Sequence, residues 1–124
     1  MFRIKGLRSW NLNADKLDES AAFYTALGAV ESGRQTIAGA AVVRLKAGEQ
    51  GIGLFDASDG PRPGIPHHTF NCDGPADPDE LSRELAAIGI TVDSVRRDRE
   101  GPNYSVYVND PSGNRIELAV TPTI

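Results

Sequence analysis

The chain has 124 residues, of which 40% are hydrophobic and 24% charged, with a formal net charge of -4. That length suits one domain with a working core, and the balance is that of a globular protein rather than a disordered one. The acidic balance excludes a non-specific nucleic-acid binder, which needs a basic face to release counterions, and it disfavours anionic membrane surfaces. No stretch approaches the roughly 20 apolar residues of a membrane span.

Cys72 is the single cysteine, so no intrachain disulfide is available and packing alone must hold the fold. A reducing, cytoplasmic setting is the expectation. The opening residues Met1 to Gly6 contain no long apolar run, so no secretory leader is expected.

Trp10-Asn11-Leu12-Asn13 alternates apolar and polar side chains, which predicts a strand with one face on a core. Asp18 and Glu19 place two acids where a helix macrodipole favours them, and Leu17, Ala21, Tyr24 and Leu27 follow helical spacing up to the stop at Gly28. Three strands are predicted next, over Ala29–Thr36, Ala40–Lys46 and Gly51–Phe55. A linker with three prolines and two glycines, Ala57 to Pro66, divides the chain.

The second half opens on the alternating strand His67–Cys72. Asp77 or Asp79 is positioned to cap a helix containing Leu81, Leu85 and Ile88, which Gly89 ends. Strands are predicted over Ile90–Val95, Tyr104–Val108 and Arg115–Val120, with a tight turn at Asp110-Pro111-Ser112-Gly113-Asn114. Each half thus reads strand, helix, strand, strand, strand. Trp10 to Asn13 lies over His68 to Asn71, Leu27-Gly28 over Ile88-Gly89, and Ile52-Gly53-Leu54 over Ile116-Glu117-Leu118. This pattern points to a duplicated unit: module one over 1–56, a linker over 57–66 and module two over 67–124.

The segment Ser20 to Gly28, the run His67-His68-Thr69-Phe70 and the stretch Asp110 to Leu118 resemble signatures of the vicinal-oxygen-chelate superfamily. That superfamily includes glyoxalase I, bleomycin-resistance proteins, fosfomycin-resistance enzymes and extradiol dioxygenases. The resemblance implies an α+β fold of two βαβββ modules, whose curled mixed sheets surround a cavity with the helices outside. It also implies a homodimer. Many members hold a divalent metal with side chains from the first and last strands of each module.

Carried over by position, that metal set is incomplete. His67 matches the first-strand histidine of module two and Glu117 its last-strand glutamate, but the module-one positions are Ser9 and Gly53. Two protein ligands are fewer than the three a catalytic zinc usually keeps. The chain has two histidines, and they are adjacent, so they point to opposite faces of a strand. The expectation is therefore a small-molecule binding protein without a required metal. The alternative is a divalent-metal-dependent lyase, isomerase or ring-cleavage dioxygenase using His67 and Glu117.

Alternation extends the list of candidate ligand-facing residues. With His67 go Thr69 and Asn71; with Ser9 go Asn11 and Asn13; with Glu117 go Arg115 and Ala119; Ser105 and Tyr107 join them, and Phe55 supplies an aromatic wall beside Gly53. Glu117 is a candidate general base if desolvation makes it more basic, and its ordinary role would be a strand carboxylate paired with Arg115 or Arg44. Trp10 and Cys72 fall on the core side, and Arg96, Arg97 and Arg99 read as a solvated loop.

Overall fold

The structure is a computed structural model that describes residues 2–62, 64–111 and 114–123. Ser112 and Gly113 of the predicted turn, and Pro63 of the linker, lie outside the described residues. The elements run β1 (Arg3–Ala14), α1 (Leu17–Ala26), β2 (Val30–Ile37), β3 (Ala40–Ala47), β4 (Gln50–Asp56), β5 (His67–Gly74), α2 (Pro78–Ala87), β6 (Ser94–Arg97), β7 (Tyr104–Asn109) and β8 (Arg115–Pro122). Strand, helix, strand, strand, strand occurs twice, and the fold is α+β as expected. Two compact units form: Arg8–His67, and the segment up to Leu7 together with the chain from His68 onward.

In the Arg8–His67 unit the strand order is β2-β3-β4-β1. β1 and β4 run parallel, with Asn11 opposite Gly53 and Leu12 opposite Leu54, while β3 is antiparallel to both β2 and β4. Alternation sorts the side chains. Val43, Leu45, Ile52 and Leu54 form the core with Ala14 and Ala21, and Leu12, Leu17 and Tyr24 pack against it. Arg44, Gly53 and Phe55 take the opposite face by parity. Trp10 corrects an expectation. It shares parity with Leu12 yet is 46% exposed, because the apolar cluster beneath the ten-residue α1 reaches Leu12 and stops there.

The other unit has the order β1-β5-β8-β7-β6. β7 is antiparallel to β8 and to β6, with Tyr107 opposite Glu117 and Arg96 opposite Ser105. Leu81 and Leu85 of α2 bury against Cys72, Tyr104, Val106, Val108, Leu118 and Val120. Asp77 is the helix cap: its carboxylate accepts from the Asp79 amide at 2.9 Å, with Pro78 at the first turn. The buried Tyr104 hydroxyl donates to the Pro75 carbonyl at 2.6 Å and ties β7 to the loop before α2. Asp110 closes the turn into β8 through the Asn114 amide at 2.8 Å.

β6 differs from its predicted span. The amide of Ile90 donates to Leu85 at 2.9 Å and so closes the end of α2. Ile90 and Val92 then pack against the core from a loop, and pairing with β7 begins only at Ser94. Arg96 and Arg97 consequently lie in a strand, not in the solvated loop expected for them.

Burial has a measurable electrostatic consequence here. Cys72 is 1% exposed, and its thiol is pushed up to about 12 by desolvation and then by the nearby Asp73. Burial likewise pushes the Tyr104 phenol up to about 12. Both groups stay protonated in the folded chain at pH values where the unfolded chain releases their protons. Their contribution to stability is complete below the ordinary thiol value of 9.0 and is lost as pH rises through the window up to about 12. Denaturant titrations from neutral pH to about pH 10 should show stability falling with pH, with a shallower fall for Cys72→Ala than for the parent chain.

Candidate functional site

Two polar groups stand on the faces of the strands that turn away from the apolar clusters, one in each unit. In the unit from His68 onward the centre is Glu117 on β8, which is 8% exposed. Its carboxylate accepts from Ser105 Oγ at 2.8 Å, Thr69 Oγ1 at 3.2 Å and Arg96 Nη2 at 3.1 Å. Strand register explains the gathering. Tyr107 sits opposite Glu117, Ser105 is two residues along the same face of β7, and Arg96 is opposite Ser105 on the edge strand. Arg96 also donates to the Tyr107 hydroxyl at 3.2 Å and to Asp98 at 3.1 Å.

The Tyr107 hydroxyl first, and Glu117 after it, hold Arg96 more firmly protonated than an ordinary arginine. The Arg96 side chain is 53% exposed, so its ion pair with Glu117 is screened and contributes at most about 1 kcal/mol. The shorter Ser105 bond and the Thr69 bond orient the carboxylate from within the sheet. Thr69, Ser105 and Arg96 thus hold the Glu117 carboxylate in place on the polar face of its sheet. Arg115 lies with its guanidinium carbon 4.7 Å from the centre of the Tyr107 ring and donates to Asp93 at 3.0 Å. Asn71, two residues beyond Thr69, is exposed and stands outside this group.

In the Arg8–His67 unit the centre is Asn11, which is 3% exposed. Its Nδ2 lies 3.1 Å from His67 Nε2 and donates to the His67 carbonyl at 3.4 Å. His67 Nδ1 is 3.2 Å from the Gly64 carbonyl, an acceptor. A neutral imidazole with its proton on Nδ1 satisfies both of these contacts, donating to Gly64 and accepting from the Asn11 amide. Asn11 Oδ1 in turn accepts a long bond of 3.4 Å from Arg44 Nη1.

Gly53 makes room for that arrangement. A Cβ at this position would stand 2.5 Å from Asn11 Oδ1, 3.0 Å from Arg44 Nη1 and 3.4 Å from Phe55 Cε1. The place where a β4 side chain would begin is thus taken by an amide and a guanidinium. Asn13 has a different duty: it accepts from the Arg62 amide at 3.0 Å and donates to the Ile65 carbonyl at 3.1 Å, pinning the linker. Ser9 pairs with Gly51 and is half-buried. Among the described residues no group of three or more His, Cys, Asp or Glu side chains is gathered closely enough to hold a metal ion.

Arg96 and Arg44 are the site residues that the sequence reading did not place. Arg96 sits in a basic run flanked by exposed positions, which has the composition of a loop. Its alternation with Val95 opposite Val106 is the signal that assigns it to the Ser105 face. Arg44 shares parity with Gly53 only once β3 and β4 are paired.

Gly53→Ala is expected to destabilise the chain by about 1–3 kcal/mol, the usual cost of overpacking a filled site. The Asn11→Ala, Gly53→Ala double variant should lose less than the sum of the single losses, because the first change removes the atom the new methyl meets. A thermodynamic cycle from denaturant unfolding checks this, and additive losses would contradict the steric account.

The profile of one protein family, described as Glyoxalase/Bleomycin resistance protein/Dioxygenase superfamily, matches residues 6–118. No curated protein matches the chain significantly. Among solved structures, the chain is similar to a 2,2',3-trihydroxybiphenyl 1,2-dioxygenase from Sphingomonas wittichii, with 20% identity and a TM-score of 0.66 over 94% of this chain and 42% of that one. The chain therefore spans less than half of that dioxygenase. It is also similar to methylmalonyl-CoA epimerase from Mycobacterium tuberculosis, with 19% identity and a TM-score of 0.65 over 98% of this chain and 90% of that one. Lactoylglutathione lyase from Agrobacterium tumefaciens is 30% identical over 94% of this chain and 93% of its own, with a TM-score of 0.37. The chain belongs to the Glyoxalase/Bleomycin resistance protein/Dioxygenase superfamily.

Proposed function

We propose that this chain is a small-molecule binding protein of the glyoxalase/bleomycin-resistance type that works without a required metal, as a homodimer in the cytoplasm. The observation that carries this reading is the filled space at Gly53. The superfamily resemblance calls for a ligand side chain there, and this chain has none. Arg44 Nη1 lies 3.0 Å from where that side chain would start and takes its space. His67, the second expected ligand, has its Nε2 beside the Asn11 amide at 3.1 Å. These donors do not fit a divalent ion, so no step of the function is routed through one.

What remains suits recognition. In the Arg8–His67 unit Asn11 offers a polar group and Phe55 an aromatic surface; in the other unit, taken by itself, Thr69, Ser105, Tyr107, Arg115 and Glu117 offer donors and acceptors on the polar strand face. A few fixed polar groups on a largely apolar lining are how small-molecule sites set orientation. The alternative, a divalent-metal-dependent lyase, isomerase or ring-cleavage dioxygenase, keeps support from one feature: Glu117 is a buried carboxylate in a built polar network.

Metal analysis of protein purified without chelator decides between them. The expected result is far less than one zinc, manganese, iron or nickel per chain, with a melting temperature unmoved by adding these ions. Stoichiometric metal that disappears in His67→Ala or Glu117→Ala would overturn the metal-free reading.

A further inference from the structure

The outer edge of β7 is covered along part of its length. Asp110 donates its amide to the Asn114 carbonyl at 2.9 Å, so these two form a hydrogen-bonded pair of the antiparallel ladder. The next pair along, Asn109 opposite Arg115, is then one without such bonds. The main-chain N–H and C=O of Asn109 therefore point away from β8, as the Tyr107 carbonyl does where it accepts from the Asp93 amide at 2.8 Å. β6 covers that side as far as Ser94, and residues 90 to 92 leave the sheet to close the end of α2. A cleft of about 440 Å³ opens there, lined by residues 89–93, Asn109 and Pro111, all in the unit from His68 onward. Ile90 and Val92 are half-buried against the core and give the cleft an aliphatic side. The Asp93 carboxylate is fixed through one oxygen by Arg115 at 3.0 Å, and that guanidinium lies over the Tyr107 ring. The other Asp93 oxygen, the Thr91 hydroxyl and the Asn109 side chain make no hydrogen bond to any described residue.

We propose that this cleft binds a small neutral peptide-like compound, an acylated amino-acid amide, by extending the sheet at Asn109. The site is separate from the polar strand faces described above and goes beyond the function read from them. The chemistry follows from the main chain. An unpaired N–H and C=O on a strand edge are a template for another strand. In an antiparallel ladder both groups of one residue are completed by the C=O and N–H of one facing residue. A carboxylate accepts but cannot donate, so it would satisfy half of that edge. Extended peptides dock on open sheet edges in this way, with adjoining pockets taking their side chains. The volume lies in the range of small-molecule sites, so the partner is a short unit and not a long strand. Its aliphatic side chain rests on Ile90 and Val92, and the open Asp93 oxygen accepts a further N–H. The negative charge of Asp93 disfavours a free acid, which selects the neutral amide.

The test titrates N-acetyl-leucine N-methylamide into full-length protein labelled with 13C-carbonyl valine and 15N asparagine. Val108-Asn109 is the single Val-Asn step in the sequence, so one main-chain amide signal reports the edge. A saturable shift of that signal is expected. The analogue methylated on its leucine nitrogen has lost the donor and should bind about tenfold more weakly, the scale of one hydrogen bond. Thr91→Trp should fold, since Thr91 is exposed, and should weaken binding at least as much by filling the cleft. No saturable shift, or equal affinity for the methylated analogue, overturns the proposal. Undiminished binding to folded Thr91→Trp overturns the assignment to this cleft. In uniformly 15N-labelled protein, a saturable response at Thr69 and Ser105 with Asn109 silent overturns this site while leaving the small-molecule reading of the polar faces in place.

Discussion

The two-residue repeat of the β-strand is the constraint from which both the core and the site follow. On β8, Leu118 and Val120 are buried in the apolar cluster under α2, and Glu117 between Ile116 and Leu118 is turned to the other face. On β4, Ile52 and Leu54 do the same under α1, with Gly53 between them. Each site position is thus locked by its neighbours. A slip of one residue would bury a carboxylate under a helix and expose two aliphatic side chains, a loss no surface contact could offset.

The two units spend equivalent positions differently. By alternation, Asn11 stands to β1 as Thr69 stands to β5, and Gly53 to β4 as Glu117 to β8. The strand pairings add Arg44 opposite Gly53 and Tyr107 opposite Glu117. One unit therefore carries an acid on its last strand, tied down by hydroxyls and an edge-strand arginine. The other has no side chain at that place and supplies a base from the neighbouring strand. Removing a side chain at Gly53 is what allows charge of the opposite sign into the same part of the sheet face.

Hydrogen bonding also separates residues that alternation groups together. Asn11 and Asn13 share a face, yet Asn11 meets His67 and Arg44 while Asn13 is spent on the backbone of Arg62 and Ile65. Such a clamp holds the proline-rich linker against the end of β1. Its partners are main-chain groups of a loop, whose identity as residues carries no signal in the sequence.

The sequence by itself determined the order of elements, the helix stops at Gly28 and Gly89, the core parity of Leu12, Cys72, Val106 and Leu118, and the polar parity of Asn11, Thr69, Ser105 and Glu117. These are local properties: period, cap chemistry and turn composition act over a few residues and can be read one segment at a time. It did not determine that Trp10 would be half exposed, that β6 would start at Ser94, or that Arg96 would reach Glu117. Nor did it show that Arg44 would lie between two glycines. Each of those depends on which strand lies beside which and in what register, and on how far a helix covers its sheet. That is information about pairs of distant segments, and only the tertiary structure holds it.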